Sequence, residues 1–206
     1  MTSTSTTSEP QRKLDGDKAQ RIIAAMRSSV GARGAAGSTF DQVAQEAGVS
    51  RGLLHYYFGS KERLLAEVVR HDCDLRLAAL EQRLAHANSL DAIVNVLITS
   101  LEAFLDQDAS DDAALIYEMF SASRHHEEMQ AEMAELYRRV REEVGAALRE
   151  KEREGIAKLR GDADAVASIL FALADGMALQ RLSDPDWDSR EAFAAGALTA
   201  RHLLGG

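Results

Sequence analysis

The apolar residues of this chain recur every three to four positions, and that spacing leaves little room for anything but helix. Leu90, Ile93, Val94, Leu97, Leu101, Phe104 and Leu105 form one stripe of helical period. Met129, Met133, Leu136, Val140, Val144 and Leu148 form another. Interruptions are few, because the 206 residues contain only two prolines, and proline breaks a helix interior more strongly than any other residue. Alanine, leucine, glutamate and arginine are abundant, and all favour helix. The expected fold class is all-α, with about nine helices.

The length suffices to bury a core without staples. The single cysteine, Cys73, excludes an intramolecular disulfide. No apolar run of about 18 residues stands out, so no membrane span is expected. Residues 1–14 are polar and rich in Ser and Thr. They lack the apolar segment of a signal peptide and read as a disordered tail. A cytoplasmic location is expected.

Taken whole, the formal net charge of −9 argues against a nucleic-acid partner, but its distribution does not. Residues 1–70 carry 10 Lys and Arg against 7 Asp and Glu, a net of +3. Residues 71–206 carry 14 against 26, a net of −12. A basic N-terminal third on an acidic body suits a chain of which only one part meets phosphate.

Along the chain, helix 1 is expected over residues 17–30, ended by the glycine-rich stretch 31–37. Those glycines do not spell a dinucleotide fingerprint, and no strand precedes them. Helix 2 begins after Thr39, where Thr39-Phe-Asp-Gln42 is a capping box. Gly48 ends it by allowing a left-handed turn. Ser50 can cap helix 3, and Ser60 a long helix 4 carrying Leu64, Leu65, Val68, Val69, Leu75, Leu80 and Leu84. Residues 108–112 read as a polar linker. Helices 8 and 9 are expected over residues 162–182 and 188–204.

Two short helices joined by Ala47-Gly-Val-Ser50 have the layout of a helix-turn-helix. The second exposes Arg51, Gly52, His55, Tyr56 and Tyr57. Arg51 suits a bidentate contact to guanine or a phosphate contact. Gly52 permits close approach to a groove, and the tyrosine hydroxyls and Lys61 suit phosphates. Adjacent exposed tyrosines beside basic residues point to a partner more than to a solvated face. Phe40, Val43, Val49, Leu54 and Phe58 read as plain core.

The run from Thr39 to Leu65 resembles the DNA-binding signature of the TetR/AcrR family of bacterial regulators. The resemblance implies a homodimer on a double-stranded DNA operator. Each chain would carry an N-terminal three-helix helix-turn-helix domain, residues 15–62, and a larger C-terminal helical ligand-binding and dimerisation domain, residues 63–206. It implies phosphate contacts for Thr39, Ser50, Tyr56, Tyr57 and Lys61, and base reading by Arg51, Gly52 and Leu53. His55 stands where the family usually has tyrosine, and Leu53 where it often has threonine. Leu173-Ala-Asp-Gly-Met-Ala-Leu-Gln180, followed by Asp184-Pro185, resembles the betaine-regulator subgroup. That supports the fold and identifies no effector.

An unknown small-molecule effector is implied. Phe104, Met119, Phe120, Met133, Tyr137, Phe171 and Trp187 are candidates to line its pocket, with plain core as the competing reading. Small residues on helices 8 and 9 suit a four-helix bundle between two copies. Phe171, Ala174, Ala178, Phe193, Ala197, Leu198 and Arg201 are the candidate interface. His125-His-Glu-Glu128 is not a metal site, since neighbours on a helix do not face one another. Cys73 is expected to be inert, and Arg12 and Lys13 are candidates for a minor-groove arm. No cofactor, metal or catalytic residue is expected. Two other readings stay open: an all-helical carrier or enzyme, and an adaptor whose N-terminal helices bind protein.

Overall fold

The structure, a computed structural model, describes residues 16–105 and 110–206. Among the described residues it is all helix: α1 (Gly16–Gly37), α2 (Phe40–Ala47), α3 (Arg51–Phe58), α4 (Lys61–His86), α5 (Leu90–Leu105), α6 (Ser110–Ser123), α7 (Glu127–Arg153), α8 (Ala163–Ser183) and α9 (Arg190–Leu203). The expected tail and the Arg12–Lys13 arm lie outside the described residues, as do positions 108 and 109 of the expected 108–112 linker; its positions 110–112 are helix, not linker. α6 already begins at Ser110.

The glycine-rich end of α1 does not stop the helix at residue 30. Gly31 stays helical, and the break falls at Gly34, with φ 69° and ψ 167°. One glycine costs a helix about 1 kcal/mol relative to alanine, too little to end it while Ile22, Ile23, Met26 and Val30 bury one face.

The short helices are fixed by their caps. Thr39 Oγ1 accepts from the Gln42 backbone N–H at 3.3 Å, and Gln42 Oε1 accepts from the Thr39 backbone N–H at 3.0 Å. Gly48, at φ 65°, turns the chain so that the Val49 N–H reaches the Ala44 carbonyl at 2.9 Å. Ser50 and Ser60 accept from the backbone N–H of Leu53 and Arg63, each at 3.2 Å. Each such cap is worth about 1 kcal/mol. That matters for eight-residue helices, which are unstable alone.

Burial groups into three clusters. The first joins α1, α2, α3 and the start of α4 to α6 and α7 through Ile22, Met26, Leu54, Leu64, Leu115 and Met119. The second joins the far half of α4 to α5, α7, α8 and the chain end through Leu84, Ile93, Val144, Ala167 and Leu204. The third, around Leu105, Met177 and Ala178, packs Trp187 and Phe193. Lys151 is 3% exposed. Its amine donates to the Ala85 carbonyl at 3.0 Å and pairs with Glu154 at 2.8 Å, tying α7 to the end of α4. Leu75 of α4 is 60% exposed.

Among the described residues one helix, α8, has the length and composition to cross a membrane, with 22% of that stretch buried; one such helix does not make a membrane protein. The apolar residues it exposes include Ile169, Leu173 and Leu179. Leu198 of α9, at 69% exposure, is also bare.

Candidate DNA reader and ligand cavity

α3 presents Arg51, Gly52, His55 and Tyr56 as exposed residues, with Leu53 and Tyr57 half-buried. Leu54 is its one fully buried residue. No neighbour lies within 4 Å of where a Gly52 side chain would stand, so backbone is open to a groove there. Tyr56 and Tyr57 meet edge to face, ring centres 5.0 Å apart. The expected reader residues therefore share one end of the molecule, around α3 and the caps that flank it.

Several of these side chains already have partners within the chain. Arg51 Nη1 donates to both oxygens of Asp41, at 3.2 and 2.9 Å. Arg51 Nε donates to His55 Nε2 at 3.3 Å, while His55 Nδ1 faces the Gly59 carbonyl at 3.3 Å. A carbonyl only accepts, so the proton sits on Nδ1 and leaves Nε2 as the acceptor for Arg51. The His55 ring also packs edge-on against Phe40, centroids 4.8 Å apart. Sequence reasoning missed Asp41, which occupies an ordinary first-turn position of α2 with no signal of its own.

Lys61 also has an internal partner. Its amine donates to the Ala35 carbonyl at 2.7 Å, and the Ala35 backbone N–H donates to Glu118 of α6 at 3.3 Å. The kinked end of α1 is thus held by α4 from one side and α6 from the other. Arg63 and Glu128 add a two-bond ion pair between α4 and α7.

Above the reader lies a cavity of about 400 Å³ between α4, α5, α6, α7, α8 and α9. Most of its wall is apolar: Leu77, Leu80, Leu97, Leu101, Phe104, Ile116, Leu136, Phe171 and Met177 among others. Of the seven expected lining residues, Phe104, Tyr137 and Phe171 stand on the wall. Met119 and Met133 do not, because they are core beneath the reader. Phe120 is 55% exposed on the outer side of α6. Trp187 packs in the third cluster, against the α8–α9 turn. A methionine stripe by itself does not say which of two cavities or cores it faces.

The polar part of the wall was largely missed. Arg76 and Arg83 come from α4 and Asp175 from α8. Their signal was available: Arg76, Leu80 and Arg83 lie at i, i+4 and i+7, one helix face. Arg76 lies over the Phe104 ring at 5.2 Å. Tyr137 donates to Asp175 Oδ2 at 2.9 Å, and Tyr117 to the Asp175 backbone carbonyl. Burial raises Asp175 above the usual carboxylate range, the Tyr137 hydrogen bond opposing it. Burial, followed by the Asp175 charge, pushes Tyr117 up to about 12. Cys73 also lines the wall, its thiol raised chiefly by burial, which suits an unreactive group. Among the described residues no cluster of three or more His, Cys, Asp or Glu side chains could hold a metal.

The α8–α9 candidates divide. Leu198 faces outward, whereas Ala178 is fully buried and Phe171 and Ala174 line the cavity. Phe193 and Ala197 pack inward, and Arg201 pairs with Asp91. α8 is apolar on most sides, so its sequence does not say which side faces out. The outer side is instead Ile169, Ala172, Leu173, Gly176 and Leu179, with Ala194, Ala195 and Leu198 of α9.

Comparison with known proteins agrees with this geometry. Residues 22–68 match the family described as bacterial regulatory proteins, tetR family. Residues 90–205 match the C-terminal domain of BetI-type transcriptional repressors. The transcriptional regulator BetI of Agrobacterium fabrum is 31% identical over 143 residues, 68% of this chain and 67% of that protein. A TetR-family regulator from Rhodococcus sp. has a similar fold, with a TM-score of 0.78 at 20% identity, covering 93% of this chain and all of the other. So has a regulator from Saccharomonospora viridis solved with choline: TM-score 0.72, 20% identity, 90% and 95% covered. The reader matches in one half and the helical body in the other, so this chain belongs to the TetR family of bacterial regulatory proteins, with a BetI-type C-terminal domain.

Proposed function

We propose that the chain acts in the cytoplasm as a homodimeric repressor that leaves a palindromic operator when a small molecule fills its cavity. Its family makes it a ligand-responsive DNA-binding regulator of transcription and not an enzyme. The observation that carries the finer reading is α4, one unbroken helix of 26 residues. Its start packs under α3, and Cys73, Arg76, Leu77, Leu80 and Arg83 of the same helix line the cavity. A ligand that shifts α4 moves the reader with it.

In this reading Arg51, Gly52 and Leu53 meet base edges, while Thr39, Ser50, His55, Tyr56, Tyr57 and Lys61 meet phosphates. The outward apolar face of α8 and α9 joins a second copy, as such faces do in two-fold dimers. Two readers then fit successive major grooves about 34–36 Å apart. A ligand that favours another spacing weakens binding by a coupling of about 1–3 kcal/mol.

Selection from random duplex DNA, followed by titrations at several salt concentrations with wild type and Arg51→Ala, tests this. A palindrome should be enriched, and Arg51→Ala should cost roughly ten- to a hundredfold in affinity. No enriched sequence and no effect of the substitution would sink the proposal.

A further inference from the structure

We infer that the cavity takes an amphipathic anion, its apolar body against Leu101, Phe104 and Phe171 and its carboxylate-like head at Arg83, with Arg76 nearby. The inference rests on the ligand-responsive reading above and narrows it to a class of effector. The cavity, at about 400 Å³, falls in the range of about 300–1,000 Å³ that holds small molecules. Its apolar wall demands an apolar body.

The head group follows from the charges. Among the described residues three charged side chains line the cavity, and two of them are arginines. Arg83 donates to Ser100 Oγ at 2.9 Å and to Thr99 Oγ1. Those hydroxyls give their own hydrogens to the backbone carbonyls of Val96 and Asn95, each at 2.7 Å. Toward Arg83 they are therefore acceptors, which fix the direction of the guanidinium without neutralising it. Among the described residues the partners of Arg83 are hydroxyls, not carboxylates. Asp175 is different, since Tyr137 already satisfies one of its oxygens and burial disfavours its charge. A cationic ligand would face two guanidinium groups beside the apolar wall, whereas an anion meets complementary charge and fork-shaped donors, with Arg83 at the exposed rim of the cavity.

Decanoate, decanol and decyltrimethylammonium share one tail and differ in head charge. Titration calorimetry of the full chain with each reads the preference directly. Decanoate should bind about ten- to a hundredfold tighter than decyltrimethylammonium, the range expected of a charge-assisted hydrogen bond, with decanol between. Arg83→Gln should lose most of that preference and Arg83→Lys, which keeps the charge, should retain it. Thermal unfolding of each variant separates a lost site from a lost fold. Equal binding of the three probes, preference for the ammonium, or no binding of decanoate overturns the inference. So does a preference that survives both Arg83→Gln and Arg76→Gln. A chain that selects a DNA palindrome yet shows no head-group preference overturns this inference alone. A chain that selects no DNA overturns the regulator reading, whichever head it prefers.

Discussion

Arg51 of α3 and Asp41 of α2 are joined by two hydrogen bonds from a single nitrogen, at 3.2 and 2.9 Å. Both helices of the reader therefore hold the guanidinium offered to DNA. The side chains are 59% and 66% exposed, so the pair contributes at most about 1 kcal/mol to folding. Its larger effect is on binding, because Asp41 sets a negative charge beside the cation that meets the operator. Asp41→Asn should leave the unfolding temperature almost unchanged and raise DNA affinity several-fold at low salt, less at high salt. DNA titration of the variant at low and high salt checks this. Weaker binding by the variant would show instead that Asp41 aims Arg51 at its base.

The bare face of α8 and α9 makes a second prediction. Leu198 is the most exposed large apolar residue among those described, at 69%, and stands beside exposed Ala194 and Ala195. Leu198→Glu would bring a charge into any interface formed there, where an unpaired buried charge is strongly unfavourable. Sedimentation should show the wild type as a dimer and the variant as mostly monomer, with a circular dichroism spectrum still helical. A variant that stays dimeric would place the interface elsewhere.

The reader was legible before the structure because its determinants are local. A capping box, a left-handed glycine and a serine cap act within a few residues of themselves, and Thr39, Gly48 and Ser50 each behave as their neighbours in sequence suggest. The cavity was legible only in part. Phe104 and Met119 both fall on apolar helix faces, yet one lines the cavity and the other sits in core. What separates them is how α6 packs against α1 and α4, which no local pattern records. The same holds for Asp175, whose partners Tyr117 and Tyr137 lie 58 and 38 residues away. The outward side of α8 was not legible for another reason: a helix apolar on most sides has no amphipathic signal to orient it.

α7 and α8 approach closely at Gly145. A Cβ there would lie 1.9 Å from Asp164 Oδ1 and 3.2 Å from the Asp164 Cα. The carboxylate can swing away, breaking its 2.6 Å bond with Arg149, but the backbone contact stays tight. Gly145→Ala should destabilise the chain by about 1–3 kcal/mol, as overpacking does, despite the better helix propensity of alanine. Denaturant unfolding measures it, and adding Asp164→Ala should recover part of the loss. If Gly145→Ala proves neutral or stabilising, the helices are not in contact there.

Asp175 carries the last prediction, and its sign follows from its surroundings. Burial raises the carboxyl above its ordinary range, and the Tyr137 hydrogen bond opposes this without cancelling it. A raised value means that the folded chain holds the proton more tightly than the unfolded chain does. Stability then falls as pH climbs from the ordinary carboxylate value, about 4, through the raised one. At neutral pH that difference in ionisation works against the folded chain, whose carboxyl sits in a partly dry wall. Asp175→Asn keeps the shape and an oxygen for Tyr137 while removing that ionisation. The variant should therefore melt above the wild type at neutral pH. The gap should narrow as pH falls toward about 4, and close below it, where Asp175 is neutral in both states. Thermal melts across that range decide the matter. A wild type more stable than the variant at neutral pH would mean that the tyrosine bond to the carboxylate outweighs its burial. The same substitution removes the one carboxylate that lines the cavity among the described residues, so decanoate should bind Asp175→Asn more tightly than wild type.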